Sequence, residues 1–195
     1  MHDLDIRLAL HALLLRTWGD ADTRIRHELG LSMGKRRIDV AVINNELVGY
    51  ESKSDEDTLI RLTAQAGAYG RVFDRVILVT TQRHLDGANA MLPPWWGIIV
   101  AHNDNGIIHL EDVRAPTLNN QYDAFSLAQL LWRAEALEEL RLRGQGRGLS
   151  KKARYYIWTA LAKAVPLDEL RSIVRTRLRS RRKWSGGRLR LSKGL

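Results

Sequence analysis

Three charged side chains, Asp39, Glu51 and Lys53, stand at spacings that could support metal chemistry. Glu51 and Lys53 are two residues apart, and side chains two apart on a strand point to the same face. If Ile43 pairs with Leu47 across a turn, Asp39 lies directly opposite Glu51, where Cβ atoms are about 4.5 to 5.5 Å apart. Two carboxylates so close repel each other unless a cation separates them, and Mg²⁺ prefers oxygen ligands. The pattern therefore predicts a Mg²⁺ site, which a one-residue shift in register would remove.

Other polar residues could complete such a site. Arg61, Gln65 and Tyr69 follow each other at intervals of four and so share one face of a predicted helix. Gln65 and Tyr69 could hold a water or a phosphate oxygen, whereas Arg61 could contact phosphate or pair with an acid one turn back. Glu28 could supply a third carboxylate, or it could pair with a neighbouring arginine.

Strand and helix patterns alternate around these residues. We predict strands at 23–29, 36–43, 47–53, 75–80 and 95–100, and helices at 4–18, 59–72, 82–92, 124–142, 150–164 and 167–183. The interpretation is an α/β fold with a mixed central sheet. It divides into a core at 1–115, a helical connection at 116–143 that packs on the core, and a basic helical segment at 149–195.

The stretch RIDVAVINNELVGYESKSDEDTLIRLTAQAGAYGRVFDRVILV carries a recognisable order of motifs. Ile38-Asp39 is followed by Glu51-Ser52-Lys53 and then by Gln65-Ala66-Gly67-Ala68-Tyr69. This order resembles the PD-(D/E)XK nuclease superfamily, in its RecB-like branch with a Q-x-x-x-Y helix, and in particular small bacterial and phage proteins of that superfamily. The resemblance covers 28–100. Ile38 stands where the motif has Pro, a position that carries no side-chain chemistry.

The resemblance implies a restriction-endonuclease-like αβββαβ core that cuts phosphodiester bonds with Mg²⁺, for which Mn²⁺ can substitute. It implies metal binding by Glu28, Asp39, Glu51 and the Ser52 carbonyl. Lys53 would assist the attacking water, and Gln65 and Tyr69 would act as helix auxiliaries. Acting on DNA, such an enzyme could serve repair, recombination or phage defence.

Charge is distributed unevenly along the chain. Residues 1–140 hold 14 Lys and Arg against 20 Asp and Glu, whereas residues 141–195 hold 17 against 2. A basic segment on an acidic body is typical of nucleic-acid binding through backbone contacts, with weak sequence preference. The residues expected to contact nucleic acid are Arg61, Lys151, Lys152, Arg171, Arg175, Arg179, Arg182 and Lys183. Membrane binding is less favoured because arginines outnumber apolar anchors near the end of the basic helix.

The amino-acid composition excludes several classes of protein and of metal site. The chain has no Cys, which excludes disulfides and thiolate metal sites. Neither a signal peptide nor an uninterrupted membrane-length apolar run is recognisable, so a cytoplasmic protein is expected. The alternative function is a non-catalytic DNA-binding or scaffold protein on a nuclease-derived fold, acting through its basic helices. The sequence leaves open a protein partner or a homo-oligomer.

Overall fold

The computed structural model describes residues 1–181 and 184. The strands are β1 (Arg24–Leu31), β2 (Arg36–Ile43), β3 (Leu47–Lys53), β4 (Arg75–Thr81), β5 (Gly97–Asp104) and β6 (Ile107–Arg114). The helices are α1 (Asp3–Thr17), α2 (Leu62–Tyr69), α3 (Leu85–Met91), α4 (Ala124–Ala128), α5 (Arg133–Leu142), α6 (Arg154–Ala164) and α7 (Leu167–Ser180). The αβββαβ succession expected from the sequence is observed from α1 to β4.

The six strands form one mixed sheet in the order β1-β2-β3-β4-β5-β6. Strands β1 to β3 pair antiparallel, β3, β4 and β5 pair parallel, and β6 returns antiparallel on β5. All seven residues of β3 are buried. Burial on both faces is typical of a central strand, so the charged residues of β3 are held by the most rigid part of the sheet.

The β2–β3 hairpin has the register expected from its turn. Ile43 pairs with Leu47, and the ladder continues to Val40 opposite Tyr50. In the turn, the Asn44 side chain accepts the Glu46 backbone N–H at 2.8 Å, an Asx-type contact that fixes the reversal. A slip by one residue would exchange the side chains that face the two hydrophobic clusters on either side of the sheet, so the packing of both faces specifies the register.

The two faces of the sheet are covered differently. Among the helices of the described residues, α1 alone covers one face, where Ile6, Leu10 and Leu14 are buried against strand residues such as Val42 and Val79. Helices α2 to α7 cover the opposite face and share one hydrophobic cluster with it. The C-terminal helices are therefore packed on the sheet, and α7 buries Leu170, Val174 and Leu178, while Leu167 is 38% exposed.

Several helix bounds differ from those expected. The segment 124–142 forms two helices, because the chain turns at 129–132 and the Trp132 backbone N–H is capped by the Glu135 carboxylate at 2.7 Å. Helix α6 begins at Arg154, and β1 runs through Gly30 to Leu31 before a short 3-10 turn at Ser32–Gly34. No helix within residues 1–181 is long and apolar enough to cross a membrane.

Candidate active site

Asp39 lies one residue beyond the last β2–β3 ladder pair. Its Oδ2 accepts hydrogen bonds from the Ser52 backbone N–H at 2.8 Å and from the Ser52 hydroxyl at 2.7 Å. These two donors fix the carboxylate beside β3, next to Glu51. The expected proximity of Asp39 and Glu51 is thus achieved through Ser52 rather than through a direct ladder pair.

The neighbouring β1–β2 pair is irregular at the same level. His27 pairs with Val40 and Leu29 with Ile38, but Glu28 and Asp39 between them are not paired. Glu28 has a φ of 58°, in the left-handed region that non-glycine residues rarely adopt. Such backbone strain costs on the order of 1–3 kcal/mol and is concentrated at functional sites. Here the irregularity brings the carboxylates of Glu28 and Asp39 to the same guanidinium.

That guanidinium belongs to Arg7 of α1, a residue that is not among the predicted site residues. Arg7 Nη2 lies 2.8 Å from Glu28 Oε1 and 2.6 Å from Asp39 Oδ1, and Nε lies 3.3 Å from Asp3 Oδ2. Burial opposes the charge of Arg7, but the carboxylates of Asp39, Glu28 and Asp3 outweigh it and raise its pKa. The i, i+4 spacing of Asp3 and Arg7 was the only signal, and it predicts merely a surface pair.

Glu51 is the centre of a second cluster. Its Oε1 accepts Lys53 Nζ at 2.6 Å and Gln65 Nε2 at 2.5 Å, and its Oε2 lies 2.8 Å from the Tyr69 hydroxyl. Lys53 Nζ also lies 3.2 Å from the Ser52 carbonyl oxygen. The structure thus brings together the catalytic residues expected on β3 and α2. Glu51 is 2% exposed and Lys53 is 5% exposed.

The position of α2 is fixed by its aromatic end. The Tyr69 ring stacks on Trp96 with centroids 6.0 Å apart, and Trp96 is fully buried. Gln65 lies one turn before Tyr69 and points to the same cluster, with Nε2 3.3 Å from the Tyr69 hydroxyl. Packing of the tyrosine therefore also positions the amide beside Glu51.

Burial and the charge of Asp39 raise the pKa of Glu51 to about 6, although Lys53 and Tyr69 favour its ionised form. Burial, together with the Glu51 carboxylate, also raises the pKa of Tyr69, which keeps the phenol protonated as a donor. A carboxyl with a raised pKa in a cleft is a marker of functional sites.

Both clusters open on a cleft of about 670 Å³. Asp39, Glu51, Lys53 and Gln65 line this cleft. Three arginines line it as well, namely Arg36, Arg37 and Arg61. Glu28 is ion-paired to Arg7 and Arg37, so its role as a metal ligand stays a prediction. Within the described part of the chain, no three His, Asp or Glu side chains form a metal-binding group.

The basic residues expected to bind nucleic acid fall into different environments. Arg171 and Arg175 pair with Asp74, a buried acid that also accepts Tyr122 OH and the Leu47 backbone N–H. Arg61 lines the cleft, Arg179 is half-buried on α7, and Lys151 and Lys152 are exposed before α6. Arg182 and Lys183 lie outside the described residues.

Comparisons with known proteins give three findings. A family model described as "Bacteriophage P4 protein cII" matches residues 4–189. Protein cII of Enterobacteria phage P4 is 23% identical over 181 residues, covering 93% of this chain and 68% of the phage protein. A solved protein of unknown function from Silicibacter pomeroyi is 20% identical with a TM-score of 0.38, covering 70% of this chain and 89% of its own.

Proposed function

We propose that this chain, which belongs to the bacteriophage P4 cII protein family, is a metal-dependent nuclease that hydrolyses phosphodiester bonds of DNA. The observation that carries the proposal is the buried Glu51–Lys53 pair, at 2.6 Å, opening beside Asp39 on a cleft lined by both acids and cations. A buried carboxylate and ammonium are costly to desolvate, and a fold retains such a pair at a cleft when the charges have a task. The motif order further supports a divergent member of the PD-(D/E)XK superfamily.

The donor set fits Mg²⁺, or Mn²⁺ in its place. Mg²⁺ is usually held by one or two carboxylates, with waters and substrate phosphate oxygens filling the remaining positions. Asp39 and Glu51 would hold the ion, and the Ser52 carbonyl could add a third oxygen. A bound ion would supply an acidified water and neutralise charge on the phosphate.

The other side chains of the site have separable tasks. Lys53 Nζ, fixed between Glu51 Oε1 and the Ser52 carbonyl, presents an ammonium that stabilises negative charge developing on the phosphate. Gln65 and Tyr69 donate to the two oxygens of Glu51 and so fix the orientation of its carboxylate. Arg7 contacts the Asp39 oxygen that Ser52 leaves free, so Arg7 and a metal compete for Asp39.

One observation favours the alternative of a non-catalytic DNA-binding protein on a nuclease-derived fold. Arg7 neutralises Asp39 and Glu28 internally, so these two acids are paired without any metal. Against this, Glu51 keeps a raised pKa in an open cleft, which an ion pair of purely structural role does not require.

The two functions are separated by a cleavage assay on purified protein. Wild type and Lys53→Ala would be incubated with linear and circular, single- and double-stranded DNA in Mg²⁺, Mn²⁺ or EDTA. We expect cutting by wild type in the presence of metal only, and none by Lys53→Ala, with DNA binding retained by both. Binding without cutting by either protein, under every metal condition, would support the non-catalytic alternative.

A further inference from the structure

The catalytic cleft continues along helix α2 as a groove. A second cavity of about 500 Å³ shares Lys35 and Arg36 with the cleft. A third, of about 280 Å³, shares Gly67 and Arg71 with the second. The residues that define this α2 groove are Lys35, Arg36, Ala64, Gly67, Ala68 and Arg71.

Positive charge in the α2 groove is not neutralised by the protein. Within residues 1–181 and 184, Lys35, Arg36 and Arg71 make no ion pair with a carboxylate, and neither does Arg61 at the mouth of the cleft. Lys35 and Arg71 are exposed, and Arg36 is half-buried. Cations lining a concave surface raise the local concentration of a polyanion. Here Lys35, Arg36 and Arg71 line the same cavity.

One wall of the groove is formed by Ala64, Gly67 and Ala68 of α2, all of which are small residues. Gly67 lies inside the helix, where glycine is less favourable than alanine. A Cβ atom at Gly67 would have no neighbour within 4 Å, so packing inside the described protein does not require a glycine there. An absent side chain beside unpaired cations leaves room for the backbone of a ligand to approach closely.

We propose that the α2 groove binds one strand of the DNA substrate, with Arg36 and Arg71 contacting consecutive parts of its phosphate backbone as it leaves the cleft. This inference rests on the proposed function for the position of the scissile phosphate. It assigns strand binding to the β1–β2 turn and α2, on residues other than the basic C-terminal positions.

Binding of labelled single-stranded DNA, followed by fluorescence anisotropy in EDTA at several salt concentrations, tests the groove separately from cleavage. Compared are Arg36→Gln/Arg71→Gln and the charge-matched control Arg16→Gln/Arg141→Gln, whose exposed arginines line none of the three cavities. We expect the groove variant to bind roughly ten-fold more weakly and to reduce the slope of log K against log salt by about 1.4, because each lost phosphate contact removes about 0.7. The control should stay close to wild type.

A second pair of variants tests the open wall of the groove. Gly67→Glu places a carboxylate in the path of the strand from a position where a Cβ atom meets no other atom within 4 Å, and it should weaken binding about as much as loss of both arginines. Gly67→Ala adds only a methyl group to the same wall and should weaken binding less than Gly67→Glu, and thermal unfolding of both variants checks that each one folds. Equal weakening by the groove variant and the Arg16/Arg141 control, or wild-type binding by Gly67→Glu, would overturn the groove. Failure of the nuclease proposal would instead appear as absence of cleavage by wild type, with this binding pattern unchanged.

Discussion

Two buried acids of this protein, Glu51 and Asp74, are each ion-paired, yet their surroundings differ. Glu51, beside Lys53 and Asp39, opens on a cleft of about 670 Å³. Asp74, beside Arg171 and Arg175, lies in a crevice too narrow to admit a water molecule. Both carboxylates are matched by donors from the protein, but Glu51 and Lys53 line a cavity that a ligand can enter, whereas Asp74 does not. On the proposed function, the first cluster is the one that meets an external ligand, and the second joins helix α7 to the sheet.

The largest expected effect is on the rate of cleavage, through the carboxylates of Asp39 and Glu51 that line the cleft. Asp39→Asn keeps the shape of the side chain but removes the charge that a metal needs, and we expect cleavage to fall by about a thousand-fold, the scale of losing one electrostatic contact to the reacting group. Single-turnover cleavage in Mg²⁺ measures this, with Asp74→Asn assayed below its unfolding temperature as the control. Similar losses in both variants would remove the distinction between the clusters.

The next effect is on the free energy of unfolding, through the ion pairs that Asp74 makes with Arg171 and Arg175. Arg171→Ala leaves Asp74, 2% exposed, with one strong partner fewer, and breaking a buried ion pair costs about 3 kcal/mol or more. Urea unfolding would measure the loss. Arg179→Ala, on the same helix but without an ion pair among the described residues, is the control and should cost well under that. Unchanged stability of Arg171→Ala would contradict a structural role for Asp74.

Arg7 connects the open cluster to helix α1, and its removal should have opposite effects with and without metal. In EDTA, Arg7→Gln leaves Asp39 and Glu28 without their shared cation, and we expect a loss of about 2 kcal/mol in unfolding free energy. Added Mg²⁺ should raise the melting temperature of Arg7→Gln more than that of wild type, because the competing guanidinium is gone. Arg16→Gln on the same helix is the control. An equal Mg²⁺ response in all three proteins would show that Arg7 does not compete with metal.

The smallest effect is the pH dependence of stability due to Glu51. Its pKa is about 6 in the folded protein against an ordinary 4.5, so between these values the folded state binds more protons than the unfolded state. The contribution of Glu51 to stability should therefore be present below pH 4.5 and fall by up to about 2 kcal/mol as the pH rises through 6. Urea unfolding of wild type and Glu51→Gln in EDTA, compared as a difference, measures the pH dependence that is lost with this carboxyl and its coupling to Asp39 and Lys53. A difference that does not change with pH would contradict the raised pKa.

The sequence predicted the parts of the structure that depend on local pattern. Strands β2 and β3 have the expected bounds, since their apolar runs and the Asn44–Glu46 turn specify length and register together. Glu51, Lys53, Gln65 and Tyr69 meet as expected because strand and helix periodicity place them on facing surfaces.

The features missed depend on contacts between residues far apart in the chain. Arg7 reaches Asp39 only because α1 packs across the sheet and β1 is irregular at Glu28, which neither segment indicates alone. Arg171 binds Asp74, which lies 97 residues away in the chain. From the sequence alone, the arginine-rich face of this helix indicates contact with solvent or phosphate, but part of that face is paired inside the fold. Periodicity identifies a polar face but cannot identify its partner.

The most direct test of the account is a titration of the metal-free protein with Mn²⁺, followed by electron paramagnetic resonance to count bound ions. Wild type, Asp39→Asn and Asp74→Asn would be compared in the same buffer. We expect Mn²⁺ binding by wild type and Asp74→Asn and its loss in Asp39→Asn. Binding that is absent from wild type, or equal in all three proteins, would contradict the assignment of the cleft carboxylates as the metal site of a nuclease.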